Sequence, residues 1–374
     1  MSSGGGADPW AWLGLLKWSL SYSDGTSNTK ATPMSDEDKA FLEQVMKEGI
    51  IDENERMKFI LKQLTDAVEF YQHEQSSSQP ASDSKEPPIE DNDLEELLLE
   101  LRDIVEQIDY ARAFMSIKGL PFLLGCIEER QAVPRPIRSA CLGLIATLCQ
   151  NNSPVQKELL ELGALKVLSD LYFSEDPATS LSSKEQGNDE ENIDSKSNIN
   201  TNAMKPKYMQ ALSSIVRSHE LAENVLDNLE QTVALFVDGL NPSTATDGLK
   251  RRALFFLRAY VTSDSATAER VRKLAAPIGI VADYYLEEST VTPAELREMS
   301  LSLLQQILEQ KKSVDVILQR KTALVGLGVQ RIAAMRKLTG DDKEYATVEL
   351  EAWEGLIQQL ARANPDEAEP AAGR

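Results

Sequence analysis

The chain has 374 residues, of which 42% are hydrophobic, enough for one large domain with appendages. Its 60 Asp and Glu outnumber 39 Lys and Arg, a formal charge of −21, which argues against a general attraction to nucleic acid or to anionic membranes and favours proteins with basic faces as partners. Of the three cysteines, Cys141 and Cys149 stand eight apart in one predicted helix, roughly 12 Å along its axis and too far to bridge. All three read as small buried hydrophobes, and with His73 and His219 outside any ligand-spaced cluster no metal or other cofactor is expected.

Residues 1–31 mix Gly, Ser, Thr and Asn with an apolar patch of Trp10, Trp12, Leu13, Leu15, Leu16 and Trp18. The patch is open to two readings, a core-docked anchor or an exposed segment that mimics an extended hydrophobic ligand. Gly4, Gly5 and Gly6 before it and the polar run Ser21 to Thr32 after it favour the second, a flexible arm. The dense stretch from Trp10 to Leu20 is too short to span a bilayer and lacks the basic region that precedes a signal sequence, so a cytosolic protein is expected.

A helical pair is expected over 32–75. Ser35 can cap the first helix with Asp38 in the reciprocal position, Phe41, Leu42, Val45 and Met46 follow at helical spacing, and Gly49 stops it. The second carries the stripe Met57, Ile60, Leu61, Leu64, Val68 and Tyr71. Residues 76–93, rich in Ser, Pro, Asp and Glu, read as a disordered linker.

The stretch 94–310 reads as armadillo-like repeats. Leu94, Leu97, Leu98, Leu101, Val105 and Ile108 form one stripe, and a short helix through Tyr110, Ala113, Phe114 and Ile117 is expected to end at Gly119. The run from Gly119 through Leu124 returns 44 residues later as Gly163 to Leu168, and Ala211 and Ala253, which open comparable helices, lie 42 apart. Between Ala140, which opens a comparable helix, and Ala211, residues 174–206 are a polar insertion, read as a disordered loop. After Pro293 a further helix carries Leu296, Met299, Leu303, Leu304, Ile307 and Leu308; helices over 311–363 cap the array, and 364–374 is a frayed tail. No strand alternation of useful length occurs, so the expected fold is all-α, an armadillo/HEAT-like α-solenoid with a long concave surface left for a partner.

No phosphate-cradling glycine motif, nucleophile elbow, zinc-ligand pair or kinase signature is present, so an enzyme is not expected. Arg138, Arg251 and Arg252 fall at the starts of repeat helices with Lys205 and Lys207 in a comparable place. They can form a basic ladder along the stack or snorkel over apolar surface, and the spacing leaves both readings open.

Several stretches resemble one family. Leu15-Leu16-Lys17-Trp18-Ser19-Leu20 with Ser23-Asp24-Gly25-Thr26, Met34 to Asp38, Asp109 to Phe114 with Gly119-Leu120, and above all Cys149 to Gln156 with Leu162 to Leu165 are similar to the Fes-type nucleotide exchange factors of plants and fungi, related to the animal heat-shock-chaperone-binding protein. The resemblance implies a four-repeat armadillo core that grips the nucleotide-binding domain of a 70-kDa heat-shock chaperone, displaces one lobe and releases ADP, while the N-terminal arm competes for the chaperone's substrate groove and helps clients leave. It carries candidate chaperone contacts onto Asp109, Ala111, Arg138, Lys207 and Arg252, and implies a monomer with no nucleic-acid or membrane partner. The rival expectation is a generic armadillo adaptor that scaffolds another complex.

Overall fold

The computed structural model describes residues 36, 37, 40, 52–76, 89–175, 204–287 and 292–363, and the chain divides into two compact units, Met1–Ile60 and Leu61–Arg374. The arm residues Trp10, Trp12, Leu13, Leu15, Leu16 and Trp18 lie outside the described residues, as do most of the first expected helix, the linker and the insertion. In the first unit Asp36, Glu37 and Ala40 are helical, and helix α1 (Glu53–Ser76), which runs on into the second unit, begins at Asp52, whose carboxylate accepts from the N–H groups of Asn54 and Glu55. That is the N-capping function of an Asp, satisfying donors that have no partner within the helix.

The second unit is built from triplets, two short helices and then a long one. Before the first triplet stands α2 (Asp91–Val105). The triplets are α3 (Ile108–Ser116), α4 (Gly119–Glu128) and α5 (Arg135–Leu148); α6 (Ser153–Glu161), α7 (Ala164–Ser174) and α8 (Met204–Val216); α9 (Glu220–Asn228), α10 (Thr232–Gly239) and α11 (Asp247–Val261); and α12 (Ala268–Lys273), α13 (Ala275–Ile280) with a π-turn Val281–Tyr285, and α14 (Ala294–Gln310). Then come α15 (Asp315–Leu318), α16 (Lys321–Met335), α17 (Asp341–Tyr345) and α18 (Thr347–Arg362). Each long helix packs on the next, so α2, α5, α8, α11, α14 and α18 make one row. Among the described residues there is no strand, and no helix is long and apolar enough to cross a membrane. This is an all-α solenoid of armadillo type.

The repeat is visible in its side-chain contacts. Arg252 donates to Gln210 across 42 residues, Arg270 to Asp227 across 43, and Arg130 to Ser174 and Arg258 to Ser302 across 44. Each unit hides its apolar face only against its neighbours. Leu142, Ile145, Leu212, Ile215, Leu254 and Leu257 have no exposed surface, and each such burial stabilises by about 1.5–3 kcal/mol before ordering entropy is set against it. Between α10 and α11 the Phe236 ring packs on Phe256 at 5.0 Å and on Tyr260 at 6.0 Å, separations at which aromatic pairs attract beyond their burial.

Three expectations change in detail. The stripe ending in Ile108 belongs to two helices: α2 stops at Val105, and Ile108 opens α3 with its side chain 45% exposed. The left-handed residue before α4 is Lys118, at φ 65°, and Gly119 is already helical. Gly119 is required for a different reason, since a Cβ there would sit 2.3 Å from the Phe114 ring. Forty-four residues on, Gly163 does take the left-handed conformation, at φ 74°. The third change is at the edges of the two stretches read as disordered: α2 begins at Asp91, inside the linker, α7 runs to Ser174 and α8 begins at Met204, both inside the insertion, because the helical hydrogen bonds extend past the last apolar position of each stripe.

Buried carboxylates paired with arginines join successive helices. Glu349 on α18 accepts from Arg297 of α14 at 2.8 Å and Arg331 of α16 at 2.6 Å. Burial raises its carboxyl, and the hydrogen bonds and charges of Arg297 and Arg331 lower it by more, leaving it below the ordinary glutamate value. A depressed carboxylate stabilises fully above its unfolded pKa, about 4.3, and the contribution is lost as pH falls through the folded value. Glu349→Gln should therefore melt below the wild type at neutral pH, and the gap should narrow as pH falls below about 4.3; a gap constant from pH 7 to pH 3 in calorimetry would contradict this linkage.

Candidate partner-binding face

The row of long helices carries one side not covered by the short ones. On α8 the half-buried residues Lys207, Gln210, Ser214 and Arg217 recur at three- and four-residue spacing, and on α11 Arg251, Arg252, Phe255, Arg258 and Thr262 do the same. Contacts between the helices show that these residues share a surface. The Arg252 Nε donates to Gln210 Oε1 at 3.3 Å, the Arg217 guanidinium lies over the Phe255 ring at 5.2 Å, Arg258 donates to Ser302 of α14 at 3.2 Å, and Arg251 meets Glu295 of α14 at 3.0 Å. Five cations thus lie along α8 with its C-terminal end and α11, one of them over an aromatic ring, in a chain whose net charge is −21.

Their electrostatics are those of crowded like charges. Burial first, then the guanidiniums of Arg252 and Arg102, lower the Lys207 ammonium from its ordinary value. Burial and Arg251 do the same to Arg252. An acidic partner surface would relieve this repulsion. The Arg251–Glu295 pair is about half exposed on both sides, so it opposes an exchange of partners by well under about 1 kcal/mol.

Beside this band, beyond Arg135 at its start, α5 presents small groups: Pro136, Ser139, Ala140, Gly143 and Thr147 are its other half-buried residues. A Cβ on Gly143 would meet nothing within 4 Å, so no packing in the chain requires glycine there. Gly143→Ala should stabilise the protein by about 0.5–1 kcal/mol through helix propensity alone, read as a shift of the urea midpoint.

The five carried-over contact residues separate. Lys207 and Arg252 come together on this face. Arg138 does not: it is 5% exposed, donates to Val133 O at 3.2 Å and pairs with the buried Glu175 at 3.2 Å, so it is not available on the ladder. Ala111 is 2% exposed and belongs to the core of α3, so its side chain offers no surface to a partner. Asp109 is exposed and 4.0 Å from Arg112, but α3 is not a member of the row. Arg217 and Phe255 were not expected; the signal for them is the three-and-four spacing from Lys207 and Arg251, visible once the helix phase is known.

His219 is buried, with Nδ1 accepting from the N–H of Ala222 to cap α9, and the three cysteines are free and buried. Among the described residues no group of three or more His, Cys, Asp or Glu could hold a metal ion. What the face offers is charge, hydrogen-bond donors and one ring, a surface for binding.

The chain is similar to Hsp70-binding protein 1. It is 29% identical to the protein of that name from Rattus norvegicus over 158 residues and 30% identical to that of Mus musculus over 159, each match covering 41% of this chain and 41% of the relative. The similarity thus spans about two fifths of those proteins' length. No protein-family model matches the chain. Among solved structures, an engineered protein from a structural genomics consortium aligns with a TM-score of 0.50 at 12% identity, over 79% of this chain and 96% of its own, a likeness of fold alone. A designed armadillo repeat protein aligns at 0.47, also 12% identical, over 79% and 99%.

Proposed function

We propose that this chain is a co-chaperone that binds the nucleotide-binding domain of a cytosolic 70-kDa heat-shock chaperone and promotes ADP release, in the manner of the Fes-type exchange factors. The observation that carries the reading is the band of Lys207, Arg217, Arg251, Arg252 and Arg258 on one face of a repeat array similar to Hsp70-binding protein 1. The protein works as a monomer, without a cofactor and without chemistry of its own. It needs only to bind the open arrangement of the chaperone's lobes more tightly than the closed one, since a ligand shifts an equilibrium by its differential affinity and by nothing else. The arm with Trp10, Trp12, Leu13, Leu15, Leu16 and Trp18 serves client release, its apolar side chains competing for the groove that holds unfolded segments.

The test is the release rate of a fluorescent ADP analogue from a cytosolic 70-kDa chaperone, with the full chain and with residues 1–31 removed. Acceleration by both, with client release lost in the shortened chain, is the expected result. Folded protein that binds the chaperone without speeding ADP release would move the reading to a scaffolding adaptor.

A further inference from the structure

A second set of cations lies apart from the basic face, where the connection between α4 and α5 meets the end of α7. Arg130, Val133, Arg135, Arg138 and Glu175 line an open cavity of about 740 Å³ there. Glu175, 5% exposed, is the carboxylate of the group. It pairs with Arg138 at 3.2 Å, with Arg135 at 3.0 Å and with Arg130 at 3.7 Å, and Tyr208 donates to it at 3.5 Å. Arg138 is fixed further by its bond to Val133 O, and Arg130 by Ser174 Oγ at 2.8 Å.

Among the described residues the charges do not balance locally. Arg138, buried beside Glu175, is by itself enough to neutralise that carboxylate. Arg130 and Arg135 bring two further positive charges to the same group, with side chains 31% and 24% exposed towards the cavity. Each guanidinium carries about five N–H donors, whereas among the described residues the acceptors in contact are the two Glu175 oxygens, the Val133 carbonyl and the Ser174 hydroxyl. A clip for Glu175 needs neither the surplus charge nor the surplus donors. An anion placed at the mouth of the cavity uses both.

We infer that this cavity binds a phosphomonoester dianion, with Arg130 and Arg135 as its donors and Arg138 held behind them by Glu175. The excess of two positive charges matches a group carrying close to two negative ones at neutral pH, and two planar guanidinium forks suit its several oxygens better than a single carboxylate. The same chemistry has two sources, free inorganic phosphate and a phosphorylated serine side chain of a peptide.

Titration calorimetry of the full chain at fixed ionic strength distinguishes them, using inorganic phosphate, a short phosphoserine peptide and its unphosphorylated form. Saturable binding of phosphate or of the phosphopeptide is expected, and whichever saturates identifies the source. Arg130→Gln with Arg135→Gln should weaken it about tenfold or more, the scale of one lost charge-assisted hydrogen bond. Arg130→Lys, which keeps the charge and loses the fork, should fall between, and Arg251→Gln on the other face should leave binding unchanged. The inference is overturned if neither ligand saturates, if the unphosphorylated peptide binds equally, or if Arg251→Gln weakens binding as much as the double variant.

Discussion

Arg270→Met should destabilise the Leu61–Arg374 unit by about 3–5 kcal/mol, the cost of leaving a buried charge without its partner. The side chain, 1% exposed, donates to Glu223 at 2.6 Å and to Asp227 at 2.8 Å, and its guanidinium lies 4.4 Å from the centre of the Tyr260 ring. Tyr260 donates in turn to Asp227 at 2.5 Å, and the hydroxyls of Ser263 and Ser265 donate to Glu223. Most of the loss arises at Glu223, 3% exposed, because Asp227 keeps 27% of its side chain in water and is partly screened. Adding Glu223→Gln to Arg270→Met removes the orphaned charge and should recover part of the loss, so the two changes will not be additive. Urea unfolding of the two variants measures both effects, and a cost below about 1 kcal/mol for Arg270→Met would mean that the cluster is not a closed buried network.

Reversing two charges of the basic face, Lys207→Glu with Arg252→Glu, should cut the acceleration of ADP release by about ten- to a hundredfold at low salt while leaving the melting temperature within about 2 °C of the wild type. Both side chains are half-buried, and their removal relieves a crowding of like charge, which keeps the structural cost small. Under the proposed exchange activity, the wild type's acceleration should weaken with added salt, since cations at the edge of an interface act chiefly on the rate of encounter. Arg138→Glu should do the opposite. It places a second carboxylate against Glu175 in a buried position, so the melting temperature should fall sharply, and any loss of exchange would follow from lost folded protein. Equal melting temperatures for the two variants would refute this division of roles.

The helices were legible because their apolar spacing is strong: Leu94, Leu98 and Leu101 of the first stripe, and Leu296, Leu303, Leu304 and Ile307 of the helix after Pro293, are buried. Helix ends were less so. Gly119 and Gly163 look alike in the sequence, yet one is glycine for a ring that presses on its Cα and the other for its backbone angle, and only coordinates distinguish the two causes. The basic face was half legible. A charge at a helix start reads the same whether it points outward, as Arg252 does, or turns inward to a carboxylate supplied 37 residues later, as Arg138 does to Glu175. Nothing near Arg138 in the sequence announces that acid, because the pairing depends on how one unit stacks on the next.

The contact between Glu175 and Tyr208 bears on how this array tolerates growth. Glu175, just after α7, is held by Arg135 of the preceding triplet and accepts from Tyr208 of α8, so the two ends at this junction are fixed against each other, and a flexible segment added there costs by loop closure about 0.6 kcal/mol for each doubling of length. Because α5 and α8 pack directly on each other, a fluorescent or affinity module spliced in at that junction should leave their stacking unchanged.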